Sequence, residues 1–108
     1  MASFPEVDEQ RLIEMRWNEA VPFAVYIYTP LCGTCRIGEK MLGVAAAIVP
    51  NAHVVKSNVN FLPHVVSEWK IESVPCMAFV REKRVVEKIY TMRSVEFLLE
   101  KLRERLQT

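Results

Sequence analysis

The chain has 108 residues, and its 14 lysines and arginines stand against 13 aspartates and glutamates, which gives a formal net charge of +1. This balance excludes a strongly basic nucleic-acid binder. Hydrophobic residues make up 51% of the chain and charged residues 25%, as in ordinary globular domains. The richest apolar stretch, residues 41–49, is too short to cross a membrane. We therefore expect one domain over residues 1–108, with neither a nucleic-acid nor a membrane partner.

Two features of the sequence bear on where the protein works. The first eight residues contain no basic residue and no apolar block, so they do not have the pattern of a secretory signal peptide. Three cysteines are too few to staple a small secreted domain, and an odd number leaves one cysteine unpaired in any internal pairing. Both features predict a cytoplasmic protein whose cysteines are reactive, metal-binding or simply buried.

The first predicted element is a helix over about residues 4–20, which a proline ends. Its apolar residues recur at helical spacing. Either Ser3 together with Glu6, or Asp8 alone, can cap its start. The rest of the chain, about residues 21–108, then forms the main body of the fold.

The next two elements are a strand and a long helix. Residues 23–28, with the sequence FAVYIY, are β-branched and aromatic and lie between two prolines. Such a run predicts a strand buried on both faces, as in the centre of a parallel sheet. Residues 33–49 carry apolar side chains at helical spacing until Pro50 and Asn51 end the pattern, and they form the longest predicted helix.

The remaining elements are predicted from similar patterns: a strand at 54–59, a short helix at 61–69 capped by Asn60, strands at 76–80 and 85–90, and a final helix after the cap Ser94. Strands connected through helices should be parallel, whereas the short connection between the last two strands makes that pair antiparallel. The sequence therefore predicts an α/β fold in which helices cover both faces of a mixed sheet.

Cys32, Gly33, Thr34 and Cys35 lie where the buried strand passes into the longest helix. Residues three apart on a first helical turn come within disulfide range after a small local adjustment. Cys32 would lie at the positive end of the helix dipole, among free backbone N–H groups, which favours its thiolate. We therefore expect Cys32 to be the nucleophile and the more enclosed Cys35 to be the thiol that resolves a mixed disulfide.

From residue 21 to about residue 106 the chain resembles the thioredoxin family. The resemblance rests on the order of strand, Cys32-Gly33-Thr34-Cys35 motif and helix, on Val74-Pro75 directly before a later strand, and on the final hairpin and helix. It implies a thioredoxin-like three-layer fold, in which a mixed β-sheet has helices on both faces. It also implies that Pro75 is cis and faces the two cysteines.

The resemblance further implies an activity, that of a thiol-disulfide oxidoreductase that reduces protein or small-molecule disulfides. In this activity Cys32 attacks the disulfide and Cys35 resolves the product. The residues implied to bind an extended segment of the substrate are Leu31, Gly33, Thr34, Val74, Pro75 and Cys76. An unidentified reductase would regenerate the dithiol, and neither a metal nor another cofactor is implied.

Several positions depart from the residues usual in this family. Leu31 replaces the tryptophan before the first cysteine, and Thr34 replaces a proline between the cysteines. Tyr26 lies where thioredoxins have a buried aspartate that accepts the proton of the resolving thiol, and Lys56, its partner lysine, lacks that carboxylate. Tyr90 aligns with a glycine of the substrate groove. We expect these changes to slow resolution and to crowd the groove.

Two other functions stay open at this point. The first is a protein-binding module that keeps the fold but has little or no redox turnover, which the missing aspartate and Tyr90 favour. The second is a zinc or iron–sulfur site with Cys32, Cys35 and Cys76 as thiolate ligands, which needs a fourth ligand from outside the chain. Cys76 stands where thioredoxins usually have threonine, and its thiol could also influence Cys32 directly.

Overall fold

Residues 4–107, the part of the chain that the computed structural model describes, form four β-strands and four α-helices. The strands are β1 (Phe23–Tyr28), β2 (Val54–Asn58), β3 (Cys76–Arg81) and β4 (Arg84–Ile89). The helices are α1 (Glu9–Asn18), α2 (Gly33–Ile48), α3 (Pro63–Glu68) and α4 (Val95–Leu106). None of the helices in this described part has the length and apolar character that crossing a membrane requires.

The four strands form one mixed sheet in the order β2-β1-β3-β4. β1 pairs with β2 in parallel and β3 pairs with β4 antiparallel, as the connections predict. β3 is antiparallel to β1 as well, although a helix connects it to β2, so the parallel direction expected for this strand is wrong. The turn between β3 and β4 places Glu82 and Lys83 at positive φ, 52° and 67°. Two such residues in a row form the tight turn whose twist matches a hairpin.

Helices cover both faces of the sheet, which confirms the predicted three-layer architecture. On one face α1 and α3 pack against the sheet, with Leu12, Met15 and Val65 at the centre of the contact. On the other face α2 and α4 do so, through Leu42, Ala45, Leu98 and Leu102. β1 contributes alternate side chains to both clusters, so it is buried on its two faces as its sequence predicts.

The first helix is shorter than predicted, because it begins at Glu9 instead of about residue 4. Asp8 caps it, and its carboxylate accepts a hydrogen bond of 2.8 Å from the backbone N–H of Arg11. Ser3, the other predicted capping residue, lies outside the described residues. The cap at Asp8 therefore sets the start of α1.

The segment before α1 is extended along the edge of the sheet beside β2. The backbone N–H of Val7 donates to the carbonyl of Lys56 at 2.9 Å, and the N–H of Lys56 donates to the carbonyl of Pro5 at 2.9 Å. These two bonds use backbone groups that a helical first turn would otherwise use. They explain why the predicted helix was wrong over its first turn.

The start of α3 also differs from the prediction. Asn58, not Asn60, is the capping residue here, and its side-chain oxygen accepts from the backbone N–H of Asn60 at 2.9 Å to form a short 3₁₀ turn. α3 then begins at Pro63, whose missing N–H suits a first helical turn. The Glu9 carboxylate of α1 accepts from the backbone N–H of Val65 at 2.8 Å. A distant side chain therefore satisfies a helix start that lacks its own cap.

α2 lies very close to β1 at one point, where Gly38 faces Tyr26. Tyr26 is fully buried and is among the largest buried side chains in the described residues. A Cβ atom on Gly38 would overlap the Tyr26 hydroxyl oxygen and would lie 2.8 Å from Cγ of Met92. The tyrosine ring is rigid and enclosed, so it cannot move away as a flexible side chain could. The close packing of α2 on the sheet therefore requires glycine at this position.

We predict that Gly38→Ala lowers the free energy of unfolding by about 1–3 kcal/mol, because the added methyl group overpacks the contact with Tyr26. Urea denaturation measures this change. Gly33→Ala is the matched control, since a Cβ atom there would meet nothing within 4 Å. Equal stability of the two variants would show that α2 can shift away from Tyr26 at no cost.

Candidate dithiol site

The first cysteine of the motif is the N-cap residue of α2. Cys32 has φ −102° and ψ 113°, an extended conformation, and its sulfur accepts a hydrogen bond of 3.3 Å from the backbone N–H of Cys35. The sulfur therefore lies at the helix end where backbone N–H groups are free and the dipole favours negative charge. This placement is the one that the sequence predicts.

Two side chains also stabilise the thiolate of Cys32. Its sulfur lies 3.0 Å from the hydroxyl oxygen of Thr34, which can donate to it. Hydrogen bonds from the Cys35 thiol and from the Thr34 hydroxyl lower the pKa of Cys32 below its ordinary value. The residue that replaces the family's proline therefore makes the nucleophile more acidic.

The second cysteine has the opposite character. Cys35 is only 2% exposed, and burial raises its pKa to about 11, with a further contribution from its hydrogen bond to Cys32. At neutral pH it is therefore a thiol. The two sulfurs differ in exposure and in acidity, so they are suited to different steps of a thiol–disulfide exchange reaction.

Tyr26 occupies the place of the family's buried aspartate, but it forms a hydrogen bond to the helix that carries the cysteines. Its hydroxyl donates a buried hydrogen bond of 2.8 Å to the backbone carbonyl of Cys35. Burial, with the nearby cysteines and Glu39, raises the pKa of Tyr26, so the hydroxyl keeps its proton and continues to donate. Tyr26 therefore holds the first turn of α2 in place and does not act as an acid.

Lys56 is the lysine whose partner in the family would be the aspartate on β1. Here it pairs with a carboxylate of α2 instead. Its Nζ lies 2.9 Å from Oε2 of Glu39, and the two side chains are 17% and 25% exposed. Glu39 follows Cys35 by four residues, so both lie on the same side of the helix. Sequence reasoning missed Glu39, although an acidic residue one turn after the second cysteine was a signal that could have found it.

A surface groove brings two predicted substrate-binding residues together. Thr34 and Pro75 both line it, together with Ile37, Met41, Tyr90 and Arg93. The Val74-Pro75 peptide bond is cis, as the resemblance implies. Tyr90 forms part of the wall, and its hydroxyl accepts from the backbone N–H of Glu72 at 3.2 Å.

Three other predicted residues surround the dithiol in different ways. Leu31 is 97% exposed directly before Cys32. Gly33 faces open space, since an added Cβ atom there would have no neighbour within 4 Å. Val74 is half-buried and packs against the cluster beneath α1 and α3. The open side of the site is therefore formed by residues next to Cys32 and by the groove.

Cys76 does not line the groove, contrary to expectation. It pairs with Ile27 in the sheet, and both side chains lie on the face covered by α1 and α3, where Cys76 is fully buried. Burial raises its pKa to about 12. Its neighbour Met77 points to the opposite face, together with Tyr26. Cys76 is therefore not among the residues that line the groove, although Tyr90, which lines it, packs against the same cluster.

The placement of Cys76 also bears on metal binding. A three-thiolate site needs its sulfurs in one place, but Cys32 and Cys35 begin α2, which covers the other face of the sheet. Within residues 4–107 no group of three or more histidine, cysteine, aspartate or glutamate side chains is arranged to hold a metal ion. The structure therefore contradicts the three-thiolate interpretation.

The fold is a mixed sheet between two helix layers. A thiolate at a helix start, a buried thiol one turn later and a cis-proline in a groove that Thr34 also lines are typical of a dithiol protein of the thioredoxin type. The family model "Thioredoxin" matches residues 8–104. The thioredoxin-like protein YusE of Bacillus subtilis (strain 168) is 36% identical over 83 residues, which cover 77% of this chain and 78% of that protein. The chain belongs to the thioredoxin family.

A further relative agrees with this assignment, and solved structures share the fold. Thioredoxin H1 of Arabidopsis thaliana is 29% identical over 73 residues, 67% of this chain and 64% of that protein. A mutant thioredoxin from Halobacterium salinarum NRC-1 superposes with a TM-score of 0.82 at 18% identity, covering 100% of this chain and 97% of that chain. Oxidized mitochondrial thioredoxin 3 from Saccharomyces cerevisiae gives 0.80 at 15% identity, with 94% of each chain covered.

Family and site together make this protein a thiol-disulfide oxidoreductase with a Cys32/Cys35 pair. Members of the family act on disulfide-containing protein substrates and exchange electrons with reductases. The redox interpretation of the motif is therefore confirmed at the level of reaction class.

We predict that Thr34→Val raises the pKa of Cys32, because the variant keeps the shape of threonine but loses the hydroxyl donor. Less thiolate is then present at neutral pH, and alkylation by iodoacetamide slows several-fold there. The pH dependence of alkylation measures the shift, whose midpoint moves to higher pH. Thr34→Ser keeps the hydroxyl and should have the same pH dependence of alkylation as the wild type. If Thr34→Val also had the pH dependence of the wild type, the Thr34 hydroxyl would not lower the pKa of Cys32.

Proposed function

We propose that this protein reduces disulfides of proteins or small molecules, with Cys32 as the attacking and Cys35 as the resolving cysteine. The observation that supports this assignment is the hydrogen bond from the Cys35 backbone N–H to the Cys32 sulfur at the start of α2. It favours a thiolate at the half-exposed position and leaves a thiol at the buried one. A nucleophile must be reached by the substrate, whereas a resolving thiol must be reached only by Cys32.

The reaction proceeds in two exchanges. The Cys32 thiolate attacks one sulfur of the substrate disulfide, a Cys32–substrate bond forms, and the other substrate sulfur leaves as a thiolate that takes up a proton. Cys35 then loses its proton and attacks the Cys32 sulfur, which releases the second substrate thiol. Two electrons pass from the dithiol to the substrate, and a Cys32–Cys35 disulfide is left for a reductase to reduce.

We propose that an extended substrate segment lies across the groove between Thr34 and Pro75. The open space at Gly33 leaves room for the substrate sulfur beside Cys32. Leu31 is fully available for apolar contact, and the half-buried Val74 supports the proline from below. An exposed leucine beside a thiolate favours substrates with apolar residues next to their cysteine.

We further propose that residues 1–108 act as one thioredoxin-like domain in the cytoplasm. The two cysteines of α2 are placed as an exchangeable pair and not as a structural staple, which suits a reducing compartment. Cys76 is a buried free thiol, as a small core residue can be where thiols stay reduced. The partners are then a disulfide substrate and a reductase of the same compartment.

We predict that Cys32→Ser does not accelerate the reduction of insulin disulfides by dithiothreitol. The rate falls to that of the uncatalysed reaction because the attacking thiolate is missing. Incubated with insulin without dithiothreitol, Cys35→Ser should instead accumulate a mixed disulfide between Cys32 and insulin, because the protein has no second thiol in reach to resolve it. Turbidity measures the first result and mass spectrometry of alkylated protein the second. Cys76→Ala is the matched control, and it should keep its activity since Cys76 lies outside the groove.

Two outcomes would contradict this assignment. If Cys35→Ser released reduced insulin without dithiothreitol and without accumulating the mixed disulfide, the two-cysteine mechanism would be wrong. If the wild type bound substrates without reducing them, although its Cys32–Cys35 disulfide forms and is reduced by dithiothreitol, the protein would be a binding module instead.

A further inference from the structure

The resolving step requires a proton acceptor, and the residue that serves this purpose in the family is replaced by Tyr26. Cys35 is buried, and burial raises its pKa, so its proton must be removed as it attacks. The Tyr26 hydroxyl cannot take the proton, because it is protonated and already donates to the carbonyl of Cys35. Another group near Cys35 must therefore be sought.

We propose that Glu39 accepts the proton that Cys35 loses when it attacks the mixed disulfide on Cys32. The proposal rests on the function proposed above, since it assigns the acceptor of its second exchange. In the family the carboxylate that accepts this proton lies on the central strand, whereas the proposed acceptor here lies in the first turns of α2. The lysine that pairs with it is on β2 in both cases.

The position of Glu39 supports this role. On a helix, residues four apart have Cβ atoms about 5–6 Å apart, so a carboxylate at Glu39 is within reach of Cys35 through one water molecule. The bond of 2.9 Å to Lys56 holds the carboxylate against the sheet instead of leaving it free in solvent. Glu39 and Lys56 are three-quarters or more buried, at 25% and 17% exposure. The acceptor is thus fixed on the side of α2 that faces the sheet.

The other charged and titratable groups around this position have different partners. The Tyr28 hydroxyl donates to both carboxylate oxygens of Glu6, at 2.6 and 2.7 Å, and Lys56 lies 5.4 Å above the Tyr28 ring. The charge of Glu39 contributes to raising the pKa of Cys35, whereas Glu6 acts on Tyr28. Of the two carboxylates, Glu39 is therefore the one whose field reaches the resolving thiol.

The proposed step balances as follows. The proton of Cys35 passes through a water molecule to the carboxylate of Glu39 as the Cys35 sulfur attacks the Cys32 sulfur. The Cys32–Cys35 bond forms, the bond from Cys32 to the substrate breaks, and the substrate sulfur leaves with the electron pair. Glu39 then returns its proton to the leaving thiolate or to water, so the carboxylate is ready for another cycle.

The test uses dithiobis-nitrobenzoate as the disulfide and follows the release of the yellow nitrothiobenzoate by stopped flow. The first release reports attack by Cys32, and the second reports resolution by Cys35. In Glu39→Gln we expect the first phase to stay within about twofold and the second to slow by about tenfold or more at pH 7. This split between the phases is not expected from a general loss of stability.

The pH dependence gives a second readout. With Glu39 as acceptor, the second phase of the wild type should change little between pH 6 and 8, because the proton passes to a group of the protein and not to bulk solvent. Without it, Cys35 must ionise to bulk solvent, so the second phase of Glu39→Gln should rise about tenfold per pH unit over this range. Glu39→Asp keeps a carboxylate and should keep the shallow dependence.

Glu100→Gln is the matched control, since it makes the same charge change at an exposed position of α4. It should leave both phases unchanged. A second phase of Glu39→Gln with the rate and pH dependence of the wild type would overturn the proposal, as would a Glu39→Asp variant with a steep dependence. Absence of the first phase in the wild type would instead overturn the proposed role of Cys32, so the two failures are distinguishable.

Discussion

The hydrogen bond from the Cys35 backbone N–H to the Cys32 sulfur fixes the start of α2 and also determines the direction of the chemistry. The Cys32 sulfur caps α2, so the geometry with which the helix begins also stabilises a negative charge on Cys32. The helix then carries Cys35 inward, where burial keeps it a thiol. One local interaction thus makes two identical residues chemically different.

That cap keeps its position only because α2 is anchored to the sheet. Tyr26 donates to the carbonyl of Cys35, and Gly38 lets the helix approach the tyrosine ring. The salt bridge from Glu39 to Lys56 adds a third link on the same side of the helix. Tyr26 on β1 and its neighbours Gly38 and Glu39 on α2 therefore form one connected contact between the helix and the sheet. Glu39 is thus both a link between α2 and the sheet and the proposed proton acceptor.

Local patterns predicted most of the fold, because β1 is a continuous apolar run, α2 and α4 have clear apolar periodicity, and α4 begins at the predicted cap Ser94. Long-range contacts caused the errors: α3 depends on Glu9, a residue 56 positions away. The position of Cys32 followed from the motif, whereas the face of Cys76 depends on the β1–β3 register, which no local pattern contains. Glu39 was missed because its partner Lys56 lies on another element.

The central claim is the inequality of the two thiols, and NMR titration of the reduced protein with ¹³Cβ-labelled cysteine tests it most directly. The Cys32 signal should titrate first, below its ordinary value, while Cys35 remains a thiol until about pH 11 and the buried Cys76 until about pH 12. A Cys35 signal that titrates before Cys32 or together with it would contradict the account.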